Sequence, residues 1–278
     1  MDVTTLNGKA VLVTGAASGI GKATALACAR RGARLVICDL DPAGLETTAG
    51  EIRAQGCAVM AQPVDVADRE AMRAFADAVH AELEAVDLLI NNAGVAIGGG
   101  FLDTALTDWD WIVSINLMGV VHGCHFFVPP MVRRGRGGHV ANVASSAGYV
   151  ATGELAAYAT TKFAVVGLSE ALRDELRPQR IGVTAVCPGV INTPITRSAR
   201  LLGPIATPEL RQRMIDLYER RNYTPERVAD GILHAVQRNR AVAPISPEAW
   251  AMYYLKRLAP GPLAWLWHRA FQRSLRTP

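Results

Sequence analysis

Short apolar runs rich in β-branched residues alternate with longer amphipathic segments through most of the chain. Runs that are apolar at nearly every position are typical of strands buried on both faces of a parallel sheet. The pattern predicts strands at 10–15, 34–40, 58–66, 87–92, 139–145, 182–187 and 241–246. It predicts helices at 20–31, 42–55, 68–84, 107–131 and 156–176, and one that begins at 224–226. This alternation predicts a single-domain, doubly wound α/β fold, whose sites lie at the carboxyl ends of the strands.

The composition narrows the classes of function. The chain has 278 residues, half of them apolar, which suffices for one large core. A net charge of +4 without basic blocks argues against a nucleic-acid partner. No metal site is expected, because neither the cysteines nor the histidines show ligand spacing. The cysteines lie in apolar stretches, which predicts buried thiols in a reducing compartment: Cys28, Cys38, Cys57, Cys124 and Cys187.

The chain shows no sign of a targeting or membrane segment in its residue pattern. Residues 1–10 are polar and lead into the first strand, so no secretory signal is expected. No apolar stretch is expected to reach the roughly 18 residues that a membrane span needs. These observations predict a cytoplasmic location.

A glycine-spaced loop, residues 14–21, lies between the first strand and the first helix. Gly15 allows a tight turn, while Gly19 and Gly21 would let the backbone approach a pyrophosphate at the helix terminus. The alternative is a purely structural turn. The candidate cofactor contacts in this loop are Gly15, Ser18, Gly19, Ile20 and Gly21.

Two aspartates end the second and third strands. Asp39 lies 18 residues after Gly21, close to the spacing of an acid that binds the adenosine ribose. A carboxylate there repels a 2′-phosphate, so NAD is favoured over NADP. Asp65, followed by Val66, could accept a hydrogen bond from the adenine amino group. A solvated strand end or a helix cap is the alternative for each aspartate.

Tyr158 and Lys162 lie one helical turn apart and share one helix face. An ammonium beside a phenol stabilises the phenolate and should bring the tyrosine pKa closer to neutrality. Such a phenol can exchange a proton with an alcohol or carbonyl oxygen. The alternative is a chance pairing of an aromatic residue with a solvated amine.

Taken together, these motifs resemble the short-chain dehydrogenase/reductase family, with its Rossmann-like fold, over about residues 7–194. The resemblance rests on the glycine loop, on the Asn-Asn-Ala-Gly turn at 91–94 and on the helix asparagine Asn116. It also rests on Ser145, thirteen residues before Tyr158, and on the segment 188–193. Without that interval, Ser145 could not be preferred to its neighbour Ser146.

The resemblance implies a role for each of these residues. Tyr158 would be the general acid/base, Lys162 would lower its pKa and bind the nicotinamide ribose, and Ser145 would hold the substrate oxygen. Asn116 would shape the backbone and retain a water that links Lys162 to solvent. Val190 and Thr193 would hold the carboxamide. The further cofactor contacts that the resemblance implies are Asn92, Ala93, Gly94, Pro188, Gly189, Val190 and Thr193.

The C-terminal third carries no fixed motif. Residues 195–222 are expected to form a helical substrate lid, and the C-terminal tail is expected to be helical as well. Residues 247–278 form a tail rich in aromatic and basic residues, which could cover the substrate mouth, pack on another subunit or contact a membrane surface. Apolar residues near the site favour a lipophilic substrate: Tyr149, Val150, Leu155 and Ile191.

These observations predict an NAD(H)-dependent oxidoreductase that interconverts a lipophilic secondary alcohol and its ketone or aldehyde. A 3-oxoacyl thioester reductase is an alternative, although Asp39 opposes the NADP that such enzymes prefer. A non-catalytic NAD-binding sensor or scaffold is another alternative, although it would not need Ser145, Tyr158 and Lys162 together. The resemblance further implies a homo-oligomer, either a tetramer or a dimer.

Overall fold

A computed structural model describes residues 1–261, which form a parallel sheet covered by helices on both faces. The strands are β1 (Ala10–Thr14), β2 (Arg34–Asp39), β3 (Val59–Pro63), β4 (Leu88–Asn91), β5 (Ile97–Gly98), β6 (Gly138–Val143), β7 (Ile181–Cys187), β8 (Arg200–Leu201) and β9 (Val242–Pro244). Seven of them form the main sheet, in the order β3-β2-β1-β4-β6-β7-β9. β5 and β8 form a separate parallel pair. The predicted doubly wound fold and its seven main strands are confirmed.

The helices follow the predicted order, with ends that differ by a few residues. They are α1 (Gly19–Ala29), α2 (Pro42–Ala54), α3 (Arg69–Glu82), α4 (Leu106–Val113), α5 (Gly119–Arg134), α6 (Ala156–Glu175), α7 (Ile195–Ser198), α8 (Pro208–Arg221), α9 (Pro225–Gln237) and α10 (Pro247–Leu258). The last predicted helix begins at Pro225, after Thr224. Proline suits this first position because its missing N–H has no intrahelical partner to lose.

Two apolar layers, one on each face of the sheet, form the core. α1, α2 and α9 cover one face, while α3, α5 and α6 cover the other. β1 shows why both faces are buried: Val11 and Val13 point into the first layer, and Leu12 points into the second. This packing leaves the carboxyl ends of the strands as the open edge where loops can build a site.

The predicted long helix at 107–131 is two helices joined by a π-turn at Ser114–Met118. The turn places Asn116 on the buried side of the junction. π-turns insert one residue into a helix and occur often at functional sites. The amphipathic pattern did not reveal the junction, because the backbone stays helical from α4 through the π-turn into α5.

The expectation that no apolar stretch reaches the length of a membrane span was wrong, if only length and composition are considered. One described segment, Leu106–Arg134, is long and apolar enough to do so. Half of its apolar window is buried inside the domain, however, and Phe127 and Met131 are fully buried among core residues. The segment therefore serves as a core helix of this fold.

Candidate active site

A cavity of about 530 Å³ lies at the carboxyl ends of the central strands. The loops that follow β1, β4, β6 and β7 contribute most of its wall. The predicted site residues on this wall are Gly15, Ser18, Gly19, Ile20, Asp39, Asp65, Val66, Asn92, Ala93, Gly94, Ser145, Tyr158, Lys162, Pro188, Gly189, Val190 and Thr193. Gly21 and Asn116 do not line the cavity. Across residues 1–261, no group of three histidine, cysteine or acidic side chains could hold a metal ion.

The glycine loop has the backbone geometry that its sequence predicts. Gly15 adopts φ +68° and Gly19 adopts φ +53°, which L side chains rarely reach. Gly21 serves packing, because an added Cβ would overlap the carbonyl oxygen of Gly15. The first turn of α1 contains no acidic residue. Its first backbone N–H groups could therefore face an anion without an acidic side chain in the same turn.

Asn92 and Thr14 bind the turn after β4 to the glycine loop. The Asn92 side-chain amide donates to the carbonyl oxygens of Thr14, at 2.9 Å, and Gly15, at 3.1 Å. The Thr14 hydroxyl oxygen accepts from the N–H groups of Asn92, at 3.0 Å, and Ala93, at 3.1 Å. The Asn92 side chain therefore positions the loop. Sequence reasoning assigned no role to Thr14, although its place at a strand end was a usable signal.

Asp39 lies at the rim of the cavity with both carboxylate oxygens held. One oxygen accepts from the N–H of Ala17 at 2.9 Å, and the other accepts from the N–H of Asp41 at 3.0 Å. Each oxygen keeps a second acceptor site, so the carboxylate can also receive ribose hydroxyls. Asp65 accepts from the N–H of Ala67 at 2.9 Å. This contact fits the alternative role for Asp65, a cap of the turn after β3. Its contact with adenine stays a prediction.

Tyr158 and Lys162 face the cavity from the start of α6, and Ser145 faces it from the end of β6. The Lys162 ammonium lies 5.7 Å from the centre of the Tyr158 ring and donates to the carbonyl oxygen of Val143 at 3.1 Å. The Ser145 hydroxyl oxygen accepts from the N–H of Ala147 at 3.1 Å. Ser146 also lines the cavity, but it is the Ser145 hydroxyl that lies close enough to Tyr158 to lower the pKa of the phenol.

Burial dominates the ionisation of this pair. It raises the pKa of Tyr158 to about 12, and the nearby Ser145 hydroxyl offsets only part of that rise. It lowers the pKa of Lys162 to about 8. In the protein alone, Lys162 therefore does not bring the phenol toward neutrality, contrary to our expectation. The loss of hydration of the phenolate outweighs an ammonium at this distance.

Asn116 acts on the backbone behind the cavity. Its side-chain oxygen accepts from the N–H of Val95 at 2.8 Å, and its amide donates to the Val95 carbonyl at 2.9 Å and to the Thr161 hydroxyl at 3.3 Å. An added Cβ at Gly94 would lie 3.1 Å from the Asn116 oxygen and 3.5 Å from the Lys162 nitrogen. Asn116 thus fixes the chain after the 91–94 turn. A link from Lys162 to solvent stays a prediction.

The segment after β7 lines the cavity, and one of its backbone N–H groups already donates a hydrogen bond within the protein. The N–H of Val190 donates to Glu248 Oε1 at 2.9 Å. Thr193 is buried, and its carbonyl accepts from the Thr196 hydroxyl at 3.0 Å. The expected carboxamide contact of Val190 would therefore have to use its carbonyl rather than its N–H.

The far end of the cavity is apolar. Residues 195–222, the predicted lid, supply Met214 and Tyr218 from α8, and α10 supplies Met252. The other apolar or small residues of this end are Val95, Ala96, Ile97, Gly98, Val150, Leu155, Ile191, Ile195, Ala199 and Leu201. Tyr149, which was predicted to lie near the site, does not line the cavity. It is buried in the core and donates to the carbonyl of Ala249 at 2.7 Å.

Only the first part of the predicted tail lies within the described residues. α10 packs Tyr253 edge-on against Tyr149, with ring centres 5.5 Å apart. The remaining aromatic and basic residues on which the membrane alternative rested lie outside the described residues: Trp265, Trp267, Arg269, Phe271, Arg273 and Arg276.

Comparison with known proteins finds oxidoreductases among the relatives of this chain. The chain is 44% identical over 254 residues to EphD of Mycobacterium tuberculosis, named a probable oxidoreductase, covering 90% of the chain and 43% of EphD. The chain thus spans less than half of that relative. SadH of the same species is 36% identical over 260 residues, covering 92% of both proteins.

A solved structure and a family profile identify the fold and the family. The structure of a short chain dehydrogenase/reductase from Burkholderia phymatum in complex with NAD superimposes with a TM-score of 0.84. It is 30% identical and covers 92% of this chain and 95% of the solved one. The short chain dehydrogenase family profile matches residues 9–201, more than half of the chain. The chain therefore belongs to the short chain dehydrogenase family of oxidoreductases, as the motifs predicted.

Proposed function

We propose that this chain is an NAD(H)-dependent oxidoreductase that interconverts a lipophilic secondary alcohol and its ketone or aldehyde. One observation carries the proposal. Ser145, Tyr158 and Lys162 line the same cavity as the glycine loop and Asp39. A dinucleotide in that cavity would thus reach from the ribose-binding rim to the proton-transfer groups.

The residues at the cofactor end fit NAD. The N–H groups at the start of α1 suit a pyrophosphate, and Asp39 suits a ribose that carries two free hydroxyls. A 2′-phosphate would meet the Asp39 carboxylate, which disfavours NADP. The Burkholderia phymatum relative in complex with NAD supports the same choice. A bound NAD would supply the hydride chemistry that interconverts the alcohol carbon and the carbonyl carbon.

Three side chains would handle the proton. The Ser145 hydroxyl would hold the substrate oxygen, and the Tyr158 phenol would take the alcohol proton in oxidation or give it to the carbonyl oxygen in reduction. Lys162 is protonated at neutral pH because its pKa is about 8. Its ammonium uses one donor on Val143 and keeps two for the phenolate oxygen and a ribose hydroxyl.

The apolar end of the cavity supports a lipophilic substrate. Met214 and Met252 face it from two different helices, and Met side chains adapt to varied apolar shapes. Tyr218 brings a hydroxyl to the same wall from α8. A mainly apolar molecule with its reactive oxygen at Tyr158 fits this distribution of groups.

A dehydrogenase screen tests the proposal. Purified protein and NAD would be offered alcohols of increasing chain length and ring number, and NADH absorbance would be recorded. Turnover should favour secondary alcohols with large apolar groups and NAD over NADP. Turnover of small polyols alone would contradict the substrate class, and binding of NADH without turnover of any alcohol would favour a sensor or scaffold.

The proposal includes three further expectations. Residues 195–222 would move as a lid, the protein would be a tetramer or dimer, and it would act in the cytoplasm. Light scattering of the purified protein tests the oligomeric state, since a monomer at micromolar concentration would contradict a tetramer or dimer. Slower proteolysis within the lid on addition of NADH and substrate would support the first expectation.

A further inference from the structure

Glu248, in the first turn of α10, joins two parts of the active site. Its Oε1 accepts from the N–H of Val190 at 2.9 Å, in the nicotinamide loop, which we define as residues 188–194. Its Oε2 pairs with the guanidinium of Arg221, at the last residue of α8. The Glu248 side chain is 23% exposed, so solvent screens both contacts only in part. One carboxylate thus ties α10 to both the loop and the lid.

The backbone around Glu248 leaves space for this approach. An added Cβ at Gly189 would overlap both Glu248 Oε1 and the Ser246 hydroxyl. Ser246 is buried, and its hydroxyl has no hydrogen-bond partner among the described residues. Gly189 is therefore needed for the close approach of α10, in addition to ending β7. A side chain there would push the loop and α10 apart.

Other contacts keep Glu248 in place. Ala249 is fully buried, and its carbonyl accepts from the Tyr149 hydroxyl at 2.7 Å. The Tyr223 hydroxyl donates to the carbonyl of Ile245 at 2.6 Å, and the N–H of Asn192 donates to the Tyr223 carbonyl at 3.0 Å. The segment that leads into α10, the residue that follows the lid and the nicotinamide loop are thus held together. Such support is what a precise positioning contact requires.

We propose that Glu248 is a positioning residue for both cofactor and substrate binding. Through Oε1 it sets the nicotinamide loop, and through Oε2 and Arg221 it sets α8, which carries Met214 and Tyr218. The inference rests on the proposed function. It leaves recognition of the carboxamide to the Val190 carbonyl and Thr193, because the Val190 N–H is engaged by Glu248.

Three variants distinguish the contact of Glu248 with Val190 from its contact with Arg221. Glu248→Ala removes both contacts. Glu248→Gln keeps an oxygen that can accept from Val190 but removes the charge that faces Arg221. Arg221→Ala removes only the contact with α8. Glu84→Gln is the matched control, because it breaks an exposed pair with Arg136 that lies just before β4 and β6, at the amino ends of the strands and away from the cavity.

NADH affinity and alcohol kinetics should respond differently. We expect the Kd for NADH, from cofactor fluorescence, to rise roughly tenfold in Glu248→Ala, about the effect of losing one charge-assisted hydrogen bond. It should stay near wild type in Glu248→Gln, in Arg221→Ala and in the control. The KM for the alcohol should rise several-fold in all three site variants, with little change in kcat.

Two results would overturn the inference while leaving the proposed function intact. One is wild-type NADH affinity in Glu248→Ala, and the other is an equal loss of affinity in Glu248→Gln and Glu248→Ala. If wild-type protein bound no NADH, the proposed function would fall and the inference with it. Unfolding midpoints of all variants identify any that fold poorly. If Glu248→Ala folds poorly, Glu248→Gln and Arg221→Ala still test the inference, since they should differ from wild type only in the KM for the alcohol.

Discussion

Lys162→Met should stabilise the fold while removing turnover. The Lys162 side chain is 4% exposed, forms no ion pair within the described residues and has one hydrogen bond, to Val143. Burial lowers its pKa from 10.5 to about 8. Folding therefore holds a charged ammonium where its hydration is lost. Methionine has a similar length and volume but needs no hydration.

The magnitude follows from the pKa. A fall from 10.5 to about 8 corresponds to roughly 3 kcal/mol of lost stability, at about 1.4 kcal/mol per pKa unit. Below pH 8 the lysine is protonated in both states, so the full loss is present. Between pH 8 and 10.5 the unfolded chain binds more protons, so the free energy of unfolding rises with pH. Methionine leaves the Val143 carbonyl without its donor, which costs about 1 kcal/mol.

Urea unfolding of wild type and Lys162→Met, without NAD, tests this reasoning. We expect the variant to be more stable by about 2 kcal/mol at pH 7 and to lose most of that advantage by pH 9.5. Buried thiols titrate in both proteins, so their effect cancels in the difference. Lys256→Met, at an exposed position of α10, should show no such pH-dependent gain. A Lys162→Met protein less stable than wild type at pH 7, or an advantage independent of pH, would refute the reasoning.

Three further predictions concern cofactor, proton transfer and tail. Tyr158→Phe should bind NADH like wild type, while steady-state turnover falls by roughly 10²–10⁴; turnover at the wild-type rate would rule out Tyr158 as the proton donor. Asp39→Asn keeps an acceptor for Ala17 but removes the charge, so the ratio of NAD to NADP turnover should fall by roughly tenfold, and an unchanged ratio would contradict its role in selectivity. Deletion of 262–278 should reduce co-sedimentation with anionic liposomes if the tail binds membranes; equal soluble fractions of full-length and shortened protein would exclude that alternative.

The fold was predictable where one segment carries its own signal. Each main strand is a run of apolar residues, and each long helix has a periodic face, so both were visible without tertiary information. β5 and β8 were not, because a two-residue strand has no periodicity and forms only when Gly98 meets Leu201 across the cavity mouth. The π-turn was also hidden, since one inserted residue hardly disturbs an apolar helix pattern.

The residues of the candidate site were likewise predictable only where the signal lies in adjacent positions of the sequence. The glycine loop and the turn at 91–94 carry their chemistry in adjacent residues, and their place at strand ends followed from the order of elements. Glu248 carried no such signal. It meets Val190 across 58 residues of sequence, and only the packing of α10 brings them together. Lys162 gave a misleading signal, because helix spacing showed its closeness to Tyr158 but not the burial that controls both pKa values.

Catalysis needs the charged forms of Tyr158 and Lys162, but burying those charges lowers the stability of the fold. Burial makes the charged form of either side chain unfavourable, since the pKa of Tyr158 rises to about 12 and that of Lys162 falls to about 8. Around the pair, neutral hydrogen bonds satisfy polar groups without adding a further buried charge, as when Asn116 holds both backbone groups of Val95. The same low hydration strengthens any interaction with a positively charged nicotinamide ring. The protein alone therefore keeps Tyr158 as a proton donor, and a bound, oxidised cofactor would favour its phenolate.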